Sequence, residues 1–331
     1  MERTKVLITG VAGLIGSHMA ECLVSKGYEV SGIDNLSGGY IENVPDGVEF
    51  FLGNLGDAEK IERIFQEVKP DYVYHFAAYA AEGLSPFIRN FNYTNNLVCS
   101  ANIINECIKN EVKKIIFTSS MAVYGKGEPP FKEDQRPEPE DPYGISKYAV
   151  EMDLRQASSQ FHLDYAIVRP HNVIGIRQNI WDRYRNVIGI WIRKVLRGEN
   201  ITIFGDGEQK RAFSDVRFCL EPMEKLLYGC NAQVFNIGSD RAYSLNEVAS
   251  MLQDIAKEYG FAPKIEHLEE RNEVKVAYCD HSKAKSLLGF KDETDLEKTM
   301  REMFVWAMKQ KDRDVIQMPY EIKKGMYKFW K

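Results

Sequence analysis

"KVLITGVAGLIGSHMAECLVSKG" (residues 5–27) runs from a short apolar stretch, through a loop with glycines at 10, 13 and 16, into an amphipathic segment. The first part has the length and composition of a buried strand, and the last has the spacing of a helix. Gly10, Gly13 and Gly16 lie at the turn between them, where bare backbone N–H groups and the helix N-terminus can receive a pyrophosphate. A glycine loop gains this meaning only from its context of strand, turn and helix. A second strand, "YEVSGID" (28–34), ends in Asp34, 18 residues after Gly16. A carboxylate there accepts both hydroxyls of an adenosine ribose and repels a 2′-phosphate. "DNLSGG" (34–39) is read as having no arginine nearby to hold a phosphate, so the expected cofactor is NAD rather than NADP.

Working outward, "VEFFLG" (48–53), "DYVYHFAA" (71–78), "KKIIFTSS" (113–120) and "DYAIVRP" (164–170) read as further strands, with helical stretches between most of them. Their nearly continuous apolar character suits strands covered on both faces. The expectation is an α/β fold, a Rossmann-type doubly wound parallel sheet over residues 1–172. Residues 173–331 form a smaller mixed α/β substrate lobe, with parts of 211–245 returning to the first. In that lobe "ITIFGDG" (201–207) and "QVFNIGS" (233–239) read as strands. The stretch 244–260 reads as a helix with Ser244 as N-cap and Glu247 three residues on, and 280–290 as another. The segment 125–142, rich in proline, glycine and acid, has the length of an ordered surface loop. The tail, "MPYEIKKGMYKFWK", reads as a packed or frayed C-terminus.

The 331 residues are 44% hydrophobic and 11% aromatic, enough for a large core. A net charge of −5, with basic residues scattered among acids, offers no footprint for nucleic acid. The six cysteines show no Cys-x-x-Cys pair and no clustering with histidines, so neither a metal site nor a disulfide framework is expected. No leader and no membrane-length apolar run is legible. A cytoplasmic enzyme of small molecules fits these bounds.

"DPYGISKYAV" (141–150) places Tyr143 and Lys147 four apart, a spacing that recurs at Tyr320/Lys324 and Tyr327/Lys331. Context separates the first pair from the others. Asp141 and Pro142 read as N-cap and first helical residue, so Tyr143 and Lys147 share a helix face in its opening turns. The ammonium and the helix N-terminus are both expected to favour the phenolate. Ser119 and Ser120 end a strand at the carboxyl edge of the sheet, where such folds keep their ligands. Ser120 can there bond a substrate oxygen and relay its proton.

Taken in order, "GVAGLIGSH", "DNLS", "HFAA", "FTSSMAVYG", "YGISK" and "VRPHNVIG" resemble the extended short-chain dehydrogenase/reductase family. The likeness is to its NAD-dependent sugar-nucleotide epimerases and dehydratases, nearest the UDP-galactose 4-epimerase branch, over roughly residues 4–300. The resemblance implies Ser120, Tyr143 and Lys147 as the catalytic set. It implies a cofactor wall of Gly10, Gly13, Leu14, Ile15, Gly16, Asp34, Asn35, Ser37, Gly38, Asn54, Leu55, Phe76, Ala77, Ala78, Asn96 and Pro170, with Tyr143 and Lys147. For the nucleotide-sugar substrate it implies Asn172 and Arg211, with Glu82, Ser85, Met121, His171 and Arg271 as further candidates beside Ser120 and Tyr143.

Departures from the family pattern bear on the substrate. Ala80 stands where a lysine is frequent, His171 replaces an aromatic residue before the motif asparagine, and "VRF" (216–218) replaces "VDD". Dehydratase and decarboxylase branches carry a carboxylate within two residues of the hydroxyl matching Ser120, where this chain has Met121 and Ala122. The expected activity is therefore epimerisation at C4 through a transient keto-sugar. A 4,6-dehydratase, with Glu82 supplying the acid, a net dehydrogenase or reductase and a non-catalytic NAD sensor are the alternatives. The resemblance also implies a homodimer built on the helices near 93–109 and 143–159. The stripe Leu97, Ala101, Ile104 and Ile108 serves either that interface or the monomer core.

Overall fold

The computed structural model describes residues 3–270 and 276–330. In chain order come β1 (Lys5–Thr9), α1 (Leu14–Ser25), β2 (Glu29–Asp34), β3 (Val48–Leu52), α2 (Ala58–Val68) and β4 (Tyr72–His75). Next, α3 (Arg89–Tyr93) runs through a wide turn, Thr94–Val98, into α4 (Cys99–Lys109), followed by β5 (Lys114–Thr118), α5 (Pro142–Phe161) and β6 (Tyr165–Pro170). The remainder holds β7 (Val173–Ile174), α6 (Val187–Leu196), β8 (Ile201–Phe204), β9 (Lys210–Ala212), β10 (Ser214–Asp215), α7 (Val216–Lys225) and β11 (Gln233–Ile237). It closes with β12 (Ala242–Ser244), α8 (Leu245–Glu258), β13 (Ile265–Leu268), β14 (Val276–Ala277), α9 (Ser282–Leu288) and α10 (Leu296–Met308).

Seven parallel strands form the main sheet in the order β11-β6-β5-β4-β1-β2-β3. Alternation of side chains across each strand feeds two cores. Leu7, Val73, Ile115 and Phe117 meet Phe65, Ile103 and Leu154 on one face, while Val6, Ile8, Ile116 and Val168 meet Met19, Met223 and Leu288 on the other. The strand order turns outward in both directions from β1 and β4, and a crevice opens at their carboxyl ends, as doubly wound sheets require. Buried His75 fastens that edge. Its ring nitrogens bond Thr9 Oγ1 at 2.7 Å and Ser100 Oγ at 2.8 Å, tying β4 to β1 and α4, and burial lowers its pKa to about 3.

A further buried cluster, in the half of the chain after β6, centres on Trp191, Leu252, Met300 and Phe304. Ser244 and Glu247 form the reciprocal capping box at the start of α8. The structure adds α6, α7 and α10 to the two helices legible here in the sequence. The tail is packed: Tyr320, Met326, Tyr327 and Trp330 cover Leu84, Phe87 and Ile88, and the Glu321 carboxylate accepts the N–H groups of Asn90 and Phe91 at 2.7 and 2.8 Å. Tyr320 donates its hydroxyl to the Trp330 carbonyl, so the tail tyrosines serve packing.

The apolar stripe Leu97, Ala101, Ile104 and Ile108 faces partly inward. Ile104 is buried, and Leu97 and Ile108 pack against the same core. Val98, just before α4, and Ile145, Met152 and Phe161 on α5 are exposed apolar residues.

One buried ion pair joins α5 to the carboxyl ends of β5 and β6. Glu151, without exposed surface, accepts Arg169 Nε at 2.9 Å and Nη2 at 2.6 Å, and the Ser119 hydroxyl at 2.6 Å. Removing one partner of such a pair strands the other charge in an apolar interior. Glu151→Gln is therefore expected to cost about 3–5 kcal/mol in chemical denaturation. Glu297→Gln, which loses an exposed bond to Arg301, is expected to leave the denaturation midpoint unchanged.

Candidate active site

The crevice is floored by the glycine loop. Gly10 has φ 74°, and a Cβ there would lie 2.8 Å from Ala77 N; one on Gly16 would lie 2.1 Å from Gly10 O. Glycine at these two positions lets the strand, the turn and α1 close on one another. No side chain caps α1, whose first residues Leu14 and Ile15 line the cleft, leaving its N-terminal amides to a ligand. Asp34 ends β2 beside them. Its Oδ2 accepts Ala12 N–H at 3.0 Å and its Oδ1 accepts Leu36 N–H at 2.7 Å, fixing the carboxylate against the loop. Burial raises its pKa, opposed by these amides.

The cofactor side of the cleft brings together Gly10, Gly13, Gly16, Asp34, Asn35, Ser37, Gly38, Asn54, Leu55, Phe76, Ala77, Ala78 and Pro170. Such a donor set, a glycine cradle ending in a carboxylate at the close of β2, fits a dinucleotide. Asn96 is placed differently. Its amide is spent behind the wall, accepting Tyr79 N–H at 2.8 Å and donating to Tyr79 O at 3.1 Å, and its neighbour Asn95 lines the cleft.

At the opposite end, Asp141 caps α5 by accepting the N–H groups of Tyr143 and Gly144 at 2.8 and 3.0 Å. Tyr143, Lys147 and Ser120 share one wall. Lys147 Nζ donates to Thr118 O at 2.8 Å and lies 4.8 Å from the Phe117 ring centre. Burial lowers its pKa to about 7, against the pull of Glu151. The expected ease of forming the phenolate is not a property of the protein alone. Burial holds the Tyr143 pKa well above its ordinary value, the Ser120 hydroxyl and Arg185 oppose this, and Glu82 and Asp141 add to it. The Asp141 carboxylate occupies the first amides of α5, beside the phenol.

Other substrate candidates separate in space. Glu82 and Asn172 line the cleft, Asn172 with φ 41° and its amide bonded to Ala212 O at 3.0 Å. Ser85 is buried behind it, linking Glu82 O, Asp141 Oδ1 and the Tyr143 N–H, and so supports the cap rather than the cleft surface. His171 is buried against His281 at 5.1 Å between ring centres, its pKa lowered to about 3 by burial. Met121 packs beside Val123 and Tyr124, and Arg211 stands on β9 away from the lining. Arg271 lies outside the described residues.

The sequence reading missed Tyr79, Gln178, Asn179, Arg185 and Asn186 in the lining. The last four lie in "QNIWDRYRN" (178–186), a polar stretch between β7 and α6 without strand or helix periodicity. Its density of amides and arginines was the available signal. The structure also corrects the reading of "DNLSGG" as remote from any arginine: Arg185 Nη2 would lie 3.2 Å from a Cβ on Gly38.

Residues 6–238 match the model of the NAD dependent epimerase/dehydratase family. Among solved structures, the chain is similar to a UDP-glucose 4-epimerase from Thermotoga maritima, crystallised with UDP-glucose, at 34% identity and TM-score 0.85, covering 91% of this chain and 98% of that one. It is similar to the Thermus thermophilus UDP-glucose 4-epimerase in complex with NAD at 30% identity and TM-score 0.84, covering 91% and 98%. A UDP-N-acetyl-alpha-D-glucosaminuronate decarboxylase from Bacillus cytotoxicus is 30% identical, with 92% of this chain and 98% of that protein covered. With its dinucleotide cradle and its Ser120, Tyr143 and Lys147 wall, the chain is an NAD-dependent sugar-nucleotide epimerase of the NAD dependent epimerase/dehydratase family.

Proposed function

We propose that this chain inverts C4 of a UDP-activated sugar through a transient 4-keto sugar, as a cytoplasmic homodimer. The observation that carries the reading is the Ser120, Tyr143 and Lys147 wall, with Met121 and Ala122 in place of an elimination carboxylate. The UDP-sugar epimerases among its relatives support the substrate class.

NAD, when bound, supplies the hydride acceptor and returns the same hydride. The chain's own residues manage the proton. Ser120 Oγ accepts the Ala122 N–H at 3.1 Å, which orients its hydroxyl toward Tyr143 and the substrate. Tyr143 takes the proton of the sugar C4 hydroxyl, directly or through Ser120, and gives it back after inversion. Lys147, with its pKa near neutrality, favours the phenolate whenever it is charged. Asn172 stands at the lobe junction, where it can bond the substrate diphosphate.

Glu82 on the same cleft favours a second reading, 4,6-dehydration, in which a carboxylate acts beyond C4. The product mass separates the two. Incubation with UDP-glucose or UDP-galactose is expected to yield the C4 epimer at unchanged mass, whereas a product lighter by one water would establish the dehydratase. Tyr143→Phe is expected to lower kcat by about 10²–10⁴ with NAD binding retained. Tyr327→Phe is expected to leave kcat within twofold of about its original value, since that ring only packs in the tail.

Val98, at 51% exposure just before α4, and Met152, at 55% on α5, support the dimer. Light scattering is expected to give twice the chain mass, and Val98→Arg with Met152→Arg to give the monomer. A monomeric parent protein at micromolar concentration would contradict the interface.

A further inference from the structure

Residues 177–186 belong to the second lobe's half of the chain, yet they fold back over the loop that follows Asp34. Asn179 Nδ2 donates to Gly38 O at 3.2 Å, Tyr40 donates its hydroxyl to Asn179 Oδ1 at 3.1 Å, and Asn43 Nδ2 donates to Arg177 O at 3.2 Å. The Tyr40 and Trp181 rings meet edge to face at 5.5 Å. This stitching carries Arg185 into the cofactor cleft.

The guanidinium of Arg185 is held from two sides. Its Nε donates to Asp182 Oδ2 at 2.8 Å, and Asp182 is itself wholly buried, with Oδ1 accepting the Tyr184 N–H at 2.9 Å. Its centre lies 4.8 Å from the centre of the Tyr79 ring. These contacts fix the plane while leaving the terminal nitrogens uncommitted, and Nη2 is buried without a hydrogen-bond partner. That nitrogen faces Gly38, where a Cβ would lie 3.2 Å from it. The next residue, Gly39, is pressed onto the glycine loop, since a Cβ there would lie 2.1 Å from Ala12 O. Arg185 thus stands beside the rim formed by Gly13, Leu14 and Gly38, next to the uncapped start of α1.

A buried guanidinium donor left unpaired is costly, and an oxyanion is its natural complement. We propose that Arg185 is a cofactor-binding residue, whose terminal N–H groups bond the NAD diphosphate from the second lobe, opposite the α1 amides. The clamp makes cofactor retention depend on contact between the two lobes through Asp182 and Asn179. The proposal rests on the family's use of NAD and not on the identity of the sugar.

The test is calorimetric titration of nucleotide-free protein with NAD⁺, ADP-ribose, adenosine and UDP. Arg185→Gln is expected to weaken NAD⁺ and ADP-ribose by a common factor of about tenfold or more, with adenosine and UDP unchanged. Arg185→Lys, which keeps a charged stem beside Tyr79 but loses the planar fork, is expected to fall between. The melting temperature of each variant, read by circular dichroism, guards against a folding defect. Selective loss of UDP would assign the arginine to the substrate and overturn the proposal. Unchanged ADP-ribose affinity in both variants, or an equal loss of adenosine, would also overturn it.

Discussion

Glu151 holds a charge with no water to receive it, and the working geometry of the cleft follows from how that charge is matched. Its two oxygens are taken by the fork of Arg169 and the Ser119 hydroxyl, so α5 is locked in register against the ends of β5 and β6. Lys147 lies one turn earlier on the same helix and Tyr143 one turn before that. The residue after Ser119 is Ser120. That pairing ties the helix that carries Tyr143 and Lys147 to the strand that leads into Ser120, and the field of the carboxylate opposes the loss of charge on Lys147. Such an arrangement orders the site through pairing that only this geometry satisfies.

Burial also sets the chemistry. Tyr143 and Lys147 are both forced toward their neutral forms, the phenol upward and the ammonium downward. The lysine is poised near neutral pH, while the phenol needs added positive charge before it can act as a base. Arg185 contributes part of that field from the second lobe, and Glu82 works against it from the loop after β4. The balance between these two side chains gives the cleft an electrostatic handle beyond the serine, tyrosine and lysine themselves.

Most of the sheet was legible because each strand is a local apolar run and each cradle glycine sits at a junction of strand, turn and helix. The cap at Asp141 and the box at Ser244 were legible for the same reason: their partners lie within a few residues. What escaped was set by contacts between distant parts of the chain. Asn96 has the right type and place in sequence, but its amide is consumed by the Tyr79 backbone. Ser85 and His171 likewise turn away into buried pairings. The stripe at Leu97, Ala101, Ile104 and Ile108 left core and interface open, and in the fold only Ile104 is fully inside the core. Arg185 reaches Gly38 across 147 residues of sequence, so no reading of "DNLSGG" alone could disclose it. The phenol's upward shift was missed because the N-cap carboxylate and the depth of burial work together, and both depend on the assembled wall.

The central claim is that one hydride leaves C4 and returns to C4 within the same cleft. The direct measurement is turnover of a UDP-sugar carrying deuterium at C4, read by mass spectrometry and by absorbance of reduced cofactor. The account predicts a C4 epimer that keeps its deuterium at C4, formed without net NADH. Deuterium lost from carbon, or NADH accumulating beside a stable keto product, would contradict it.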